Sequence, residues 1–302
     1  MSSAPFHITV PSDASQLPVT LPILLDKKRR GEPIVMITAY DFPSARAAEA
    51  AGVDIVLVGD SGAMTVLGYP STIEVSTDEM LVLARAVRRG LKTPFMIGDL
   101  PFGSYEESDQ QAVATAMRFV KQAGCDAVKL ERGNAVSVSR ARAIVGAGIP
   151  VMGHVGLTPQ TATALGGYRA QGRTTAAAAR IAEEALALQE AGCFSLVFEA
   201  MPAAVAAELM RLVEIPVIGI GAGPATDGQV LVFHDLLGIR EGRGARFVQR
   251  YGELQAEMDA GVSAYAADVR AGRYPGPEHT YSIDAEELAQ FRAGLSDPRS
   301  DR

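Results

Sequence analysis

The stretch AGCDAVKLERG, residues Ala123 to Gly133, opens with an Ala-Gly pair, enters an apolar run at Ala127 and Val128, and then places Lys129 and Glu131 where a buried strand should continue. Side chains alternate along a strand, so Val128 and Leu130 share one face while Lys129 and Glu131 share the other. In a closed barrel the outer face meets helices, which suits Val128 and Leu130 and turns both charges inward. The residues alone allow two readings: a structural ion pair plugging the barrel, or part of a site at its mouth.

Other runs of strand length bear on that choice. IVMITAYD, VDIVLVGD, PFMIGDLPF, IPVMGHVG, FSLVFEAMP, IPVIGIGAG and VLVFHDLLGI alternate with amphipathic, Ala-rich segments of helix length. Near-continuous Val/Ile/Leu runs are what parallel strands covered on both faces require. Ala-Gly pairs at 51–52, 123–124, 147–148 and 191–192 precede several runs, with glycine as the expected helix terminator. Asp41, Asp60, Asp99, Glu131, His154 and Glu199 each fall at the C-terminal end of a different run. In a barrel those ends converge on one mouth, whereas an open doubly wound sheet gathers only the strands beside its switch point. The expected fold is therefore α/β, a (β/α)₈ TIM barrel with a C-terminal helical extension. The eighth run, Val230 to Leu237, is the weakest strand and is open to being partly helical.

The domain plan expected is an N-terminal extension and lead-in over 1–32, a single catalytic barrel with its C-terminal helices over 33–282, and a short helix and polar tail over 283–302. The barrel proper is expected over Pro33 to Val248, followed by a helix from Leu254 to Arg270. Asp284 and Glu287 have capping-box spacing at the start of a terminal helix, and a polar tail follows from Asp297.

Hydrophobic residues make up 48% of the 302 and charged residues 21%, ordinary values for a globular chain with a full core. The net charge of -7 opposes the phosphate backbone of nucleic acid and anionic lipid surfaces, so neither is expected as a partner. Cys125 and Cys193 each follow an Ala-Gly pair at the mouth of an apolar run and read as small buried hydrophobes, suited to a reducing compartment. The first thirty residues contain no basic region followed by an apolar core, so a cytoplasmic location is the expectation.

Asp60 and Asp99 each follow a glycine, read as leaving space at the mouth; either aspartate alone could simply cap the next helix. Two such carboxylates beside Glu131 repel one another unless a cation joins them. An all-oxygen set without cysteine suits Mg²⁺ with retained waters better than Zn²⁺. His154, in PVMGHVGLTPQ and read as following the fifth strand, is either satisfied by backbone or a donor facing substrate. Glu199, in FSLVFEAMP, could open a helix but suits general-base work. GIGAG at Gly219 to Gly223 is either a phosphate cradle or a turn that lets backbone approach a ligand. The long segment GGYRAQGRTT, with Gly166, Gly167, Tyr168 and Gly172, is a lid or a plain surface loop.

Between Ile34 and His279 the motifs ITAYD, VGDS, DLPF, VKLE, GHVGLTPQ, GGYRAQGR, VIGIGAG, TDGQVLVFHD and YPGPEH occur in an order that resembles the ketopantoate hydroxymethyltransferase family. The resemblance implies a (β/α)₈ barrel, a homo-oligomer that is commonly decameric, and the first committed step of pantothenate synthesis. In that step 5,10-methylenetetrahydrofolate and water supply a hydroxymethyl group to 3-methyl-2-oxobutanoate through an enolate, giving 2-dehydropantoate and tetrahydrofolate. It further implies Asp60 and Asp99 as magnesium ligands and Glu131 near the metal through water. Ser61, Lys129 and His154, with Asp60 and Asp99, would hold the oxo acid, and Glu199 would be the proton acceptor. Two departures stand out: Gly62-Ala63, where a bulkier residue and then glycine are expected, and Arg132, where glycine is usual. The competing readings are a magnesium-dependent lyase or mutase acting on another 2-oxo acid or an enol phosphate, and a non-catalytic barrel that binds metabolites.

Overall fold

The computed structural model describes residues 17–295 apart from 165, 241 and 243. The chain begins with α1 (Leu21–Arg30), β1 (Ile34–Thr38), α2 (Phe42–Ala51), β2 (Ile55–Val58), α3 (Gly62–Thr65) and α4 (Thr77–Gly90). It continues through β3 (Phe95–Asp99), α5 (Asp109–Ala123), β4 (Ala127–Lys129), α6 (Ala135–Gly146) and β5 (Val151–Gly156). Then come α7 (Thr175–Glu190), β6 (Ser195–Glu199), α8 (Ala203–Leu209), β7 (Val217–Ile220), β8 (Gly228–Leu231) and α9 (Phe233–Leu237), with α10 (Leu254–Arg270) and α11 (Ala285–Gly294) last.

All eight strands are parallel and form a closed barrel in chain order, with Ile34 of β1 in register with Gly228 of β8. This is the TIM barrel expected from the apolar runs. Alternation sorts each strand into two layers: Ile55, Leu57, Phe95, Ile97, Met152 and Val197 fill the interior together with Leu24 of α1. Val56, Val58, Met96, Val128 and Leu130 face outward into the shell where Phe119 and Leu188 pack. Fully burying one such side chain contributes roughly 1.5–3 kcal/mol, so the two-layer pattern determines register. Cys125 and Cys193 are free and buried in the outer shell, as their setting implied.

Helix ends follow local chemistry. Gly52 and Gly124 terminate α2 and α5 in the left-handed region, where glycine has no Cβ to clash. Ser76 and Glu79 form a reciprocal capping box on α4. Asp41, one of the six polar strand ends, caps α2 by accepting the Ser44 N–H at 2.7 Å.

Two local readings change, and the partly helical eighth run is borne out. Gly98 does not open space at the mouth; its α-carbon faces α5, where a Cβ would collide with the Phe119 ring and lie 2.9 Å from Cys125 Sγ. The eighth run is strand only through Leu231 and becomes α9 from Phe233. β7 and β8 are joined by residues 221–227 alone, without a helix. In the GIGAG turn, Gly221 lies against the Phe247 ring, which a Cβ would approach to 2.6 Å.

A second compact unit begins at Glu253. It holds α10, whose limits coincide with the expected helix, and an edge-to-face pair of Tyr265 and Tyr274 with ring centres 5.5 Å apart. In α11, Asp284 accepts the Glu286 N–H at 2.8 Å in place of the box with Glu287 that the spacing suggested. The N-terminal segment through residue 16 and the tail from Asp297 lie outside the described residues. Among the described residues no helix is long and apolar enough to cross a membrane.

Candidate active site

The C-terminal ends of the strands surround a cavity of about 190 Å³. Asp60, Ser61, Asp99, Lys129, Glu131, His154 and Glu199, all singled out in the sequence, line it together. Asp99, Lys129 and Glu199 are the last residues of β3, β4 and β6, while Asp60 lies two residues beyond β2. His154 sits within β5, in register with Val197, not after the strand as read from the sequence. The backbone therefore holds its imidazole more rigidly than a loop would.

Inward alternation brings Lys129 Nζ to 2.9 Å from Asp99 Oδ1 and 3.8 Å from Glu131 Oε1. His154 Nδ1 lies 3.4 Å from Glu131 Oε1 and 3.4 Å from Lys129 Nζ. On the other side of the ring, Nε2 is 3.2 Å from Glu199 Oε2, in ion-pair range but without the alignment of a hydrogen bond. Burial disfavours every charge here, and the neighbours decide which persist. Burial opposes protonation of Lys129, but Asp99, Glu131 and Asp60 outweigh it and hold its proton more tightly than usual. Burial and Lys129 likewise oppose protonation of His154, but Glu131 and Glu199 carry its pKa to about 9. Glu131 goes the other way: burial would raise it, and the bond to His154 with the Lys129 charge lowers it.

Gln160 is a residue that the sequence reading missed. Its backbone N–H donates to Glu131 Oε2 at 3.0 Å, and its Nε2 donates to Asp60 Oδ2 and the Leu100 carbonyl, both at 2.9 Å. Tyr105 Oη completes the frame by donating to Gln160 Oε1 at 2.6 Å. Gln160 stands in the one-turn 3₁₀ segment after β5, where neither strand nor helix periodicity marks a buried side chain. Thr72 was also missed; it lines the cavity from the loop after α3, with Oγ1 buried and unpartnered among the described residues.

Of the four lid candidates, Tyr168 lines the cavity, whereas Gly166, Gly167 and Gly172 do not. The segment is tied to the site at one point, where the Gln171 N–H donates to the Ala200 carbonyl at 2.8 Å, next to Glu199. The two departures also have structural accounts. Gly62 lies under Tyr40, whose ring a Cβ would approach to 2.7 Å, and Tyr40 Oη bonds Ser61 Oγ at 2.8 Å. Arg132 is in the left-handed region at φ 70°, and its charge acts on Glu184 of α7.

Among the described residues no three His, Cys, Asp or Glu side chains already converge as a ligand set, because Lys129 stands among the acids. The donors nevertheless suit a small dication. Burial raises the proton affinity of Asp60 well above the carboxylate range, and Asp99 and Glu131 add to it. Burial likewise raises Asp99, against the Lys129 ammonium beside its Oδ1, while its Oδ2 accepts the Asp60 N–H at 3.2 Å. Magnesium is commonly held by one or two carboxylates with retained waters, so Asp60 and Asp99 suffice.

A family profile described as ketopantoate hydroxymethyltransferase matches residues 18–277. The chain belongs to this family. It is 50% identical over 283 residues to 3-methyl-2-oxobutanoate hydroxymethyltransferase 1, mitochondrial, of Arabidopsis thaliana, covering 92% of this chain and 82% of that protein. It is 51% identical to 3-methyl-2-oxobutanoate hydroxymethyltransferase of Moorella thermoacetica, covering 87% of this chain and 97% of the relative. Phosphonopyruvate hydrolase, solved in complex with oxalate and Mg²⁺, shares the fold with a TM-score of 0.58 at 14% identity, covering 91% of this chain and 95% of that one. As a member of the ketopantoate hydroxymethyltransferase family, the chain is a transferase enzyme of pantothenate biosynthesis.

Proposed function

We propose that the barrel transfers a hydroxymethyl group from 5,10-methylenetetrahydrofolate and water to 3-methyl-2-oxobutanoate, giving 2-dehydropantoate and tetrahydrofolate. The observation that carries this reading is the buried cationic pair Lys129 and His154, flanked by the carboxylates Asp60, Asp99 and Glu131, with Glu199 on the rim.

Lys129, His154 and Ser61 hold the carboxylate and oxo oxygens of the acid. Glu199 removes the proton at C3, a task worth about 10²- to 10⁴-fold for a well-placed base. The positive charges of Lys129 and His154 favour the enolate, because fixed charges in a site sheltered from water act strongly. The enolate carbon then bonds to the methylene carbon of the donor as one of its two carbon–nitrogen bonds opens, water displaces the remaining nitrogen and supplies the hydroxyl, and the C3 proton and one water proton pass to the two folate nitrogens. Asp60 and Asp99 would hold magnesium, with Glu131 reaching it through water, and the bound ion supplies Lewis-acid stabilisation to charge developing on the substrate. Gly166 to Thr175 acts as a lid that excludes water, with Tyr168 as the residue that reaches the cavity. A homo-oligomer, decameric by resemblance, belongs to the same reading and is measured by sedimentation.

The test is to incubate the enzyme with 3-methyl-2-oxobutanoate and Mg²⁺ in D₂O and follow exchange at C3 by NMR, then add methylenetetrahydrofolate. Exchange that Glu199→Gln abolishes, followed by folate-dependent product, is the expected result. Neither exchange nor product from folded enzyme refutes the assignment, and exchange without product favours the lyase reading.

A further inference from the structure

We infer that a second cavity, beside the catalytic one, binds the pterin ring of the one-carbon donor. This inference rests on the folate-dependent reading above. The catalytic cavity, at about 190 Å³, is smaller than the roughly 300–1,000 Å³ that drug-sized ligands occupy. It suits a five-carbon acid and leaves no room for a bicyclic ring. The donor carbon must nevertheless come within about 3–3.5 Å of C3 to react, so its carrier has to sit in space that shares a wall with the acid.

A cavity of about 440 Å³ meets that condition. It lies between α3, after β2, and α9, after β8, and it shares Ser61, Met64, Val232 and Asp235 with the catalytic cavity. Its chemistry matches a flat aminopyrimidinone. Such a ring presents two adjacent N–H donors on one edge, a carbonyl beside them, and two apolar faces. Asp235 is the one carboxylate among the described lining residues, and Arg240 Nη1 holds its Oδ1 at 2.5 Å, leaving Oδ2 for the donor edge. The other N–H groups of Arg240 can meet the ring carbonyl.

His234 lines the same cavity as well. Tyr40 fixes that imidazole, with ring centres 5.5 Å apart, and the same Tyr40 bonds Ser61 on the shared wall at 2.8 Å. Met64 and Ile239 supply apolar contact for the ring faces.

Tetrahydrofolate is the probe, added to the full-length enzyme with Mg²⁺ and 3-methyl-2-oxobutanoate. In the wild-type protein, NMR with labelled methyl groups is expected to show contacts from the Met64 and Ile239 methyls to the pterin protons. Asp235→Asn, which removes the carboxylate, and Ile239→Trp, which fills the cavity, should each weaken tetrahydrofolate binding at least tenfold and raise KM for methylenetetrahydrofolate more than KM for the acid. Tetrahydrofolate that binds the wild type without contacting either methyl overturns the inference and leaves the folate reading standing. So do folded variants that bind it as the wild type does. A wild type that neither binds tetrahydrofolate nor makes folate-dependent product overturns the underlying reading, and the inference with it.

Discussion

His154 Nε2 stands 3.2 Å from Glu199 Oε2, while Nδ1 of the same ring stands 3.4 Å from Glu131 Oε1. One imidazole thus connects the acid deepest in the cavity to the acid on its rim. Substituting His154→Gln removes the positive charge and leaves Glu131 with less compensation. The expected outcome is a fall of about 10²-fold in C3 exchange, measured by NMR, with the fold retained by circular dichroism. Exchange at the wild-type rate would refute the role given to the ring.

Gln160 carries three hydrogen bonds to Glu131, Asp60 and Leu100, of which its side chain supplies two. Gln160→Leu keeps the volume but strands Asp60 Oδ2, the Leu100 carbonyl and the Tyr105 hydroxyl. Leaving a buried polar group unsatisfied costs about 1–3 kcal/mol. Urea unfolding should show a loss in that range, together with weaker Mg²⁺ binding by calorimetry, because Asp60 is no longer held in place.

Arg132 occupies the left-handed region and its Nε is buried without a partner among the described residues. Both features cost free energy, and glycine removes them. Arg132→Gly is expected to raise stability by about 1 kcal/mol, since strained backbone of this kind costs about 1–3 kcal/mol and the added chain entropy of glycine offsets part of the gain. Thermal unfolding measures it, and a lower melting temperature would show that the Glu184 interaction outweighs the strain.

Gly98→Ala tests the close contact between β3 and α5. The new methyl meets the Phe119 ring and Cys125 Sγ, and overpacking of this kind costs about 1–3 kcal/mol. Pairing it with Phe119→Leu should recover part of the loss in a double-mutant cycle.

Burial pushes both thiols up, Cys125 and Cys193 each to about 12. At pH 8 the thiolate fraction is then about 10⁻⁴, so native protein should resist a thiol-reactive dye that labels the unfolded chain at once. The linked stability has a definite sign. The folded pKa lies above the unfolded value, so the contribution is fully present below about pH 9 and is lost as pH rises through 12. Alkaline unfolding of Cys125→Ala should be less steep across that window.

What the sequence by itself determined was the architecture and the titratable residues gathered at the candidate site. Strand-length apolar runs, alternation and the polar residue at each run's end depend on local period, which is why AVKLE already placed Lys129 and Glu131 inward. Family motifs then attached roles to Asp60, Asp99 and Glu199. Tertiary structure alone decided the rest. Gln160 and Tyr105 became parts of the site because chain segments distant in sequence bring their polar atoms within bonding distance, and Thr72 because its loop reaches the cavity wall, relationships that no local period encodes. Asp41 carried the same strand-end signature as Asp60 yet became a helix cap, because Ser44 lies three residues on. Gly98 carried the same glycine-aspartate signature as Gly59 but serves the packing of Phe119, because direction from the backbone is determined only once β3 is in register with its neighbours. The second cavity exists only where the elements after β2 and β8 meet across the end of β1, and barrel closure is what brings these opposite ends of the chain together.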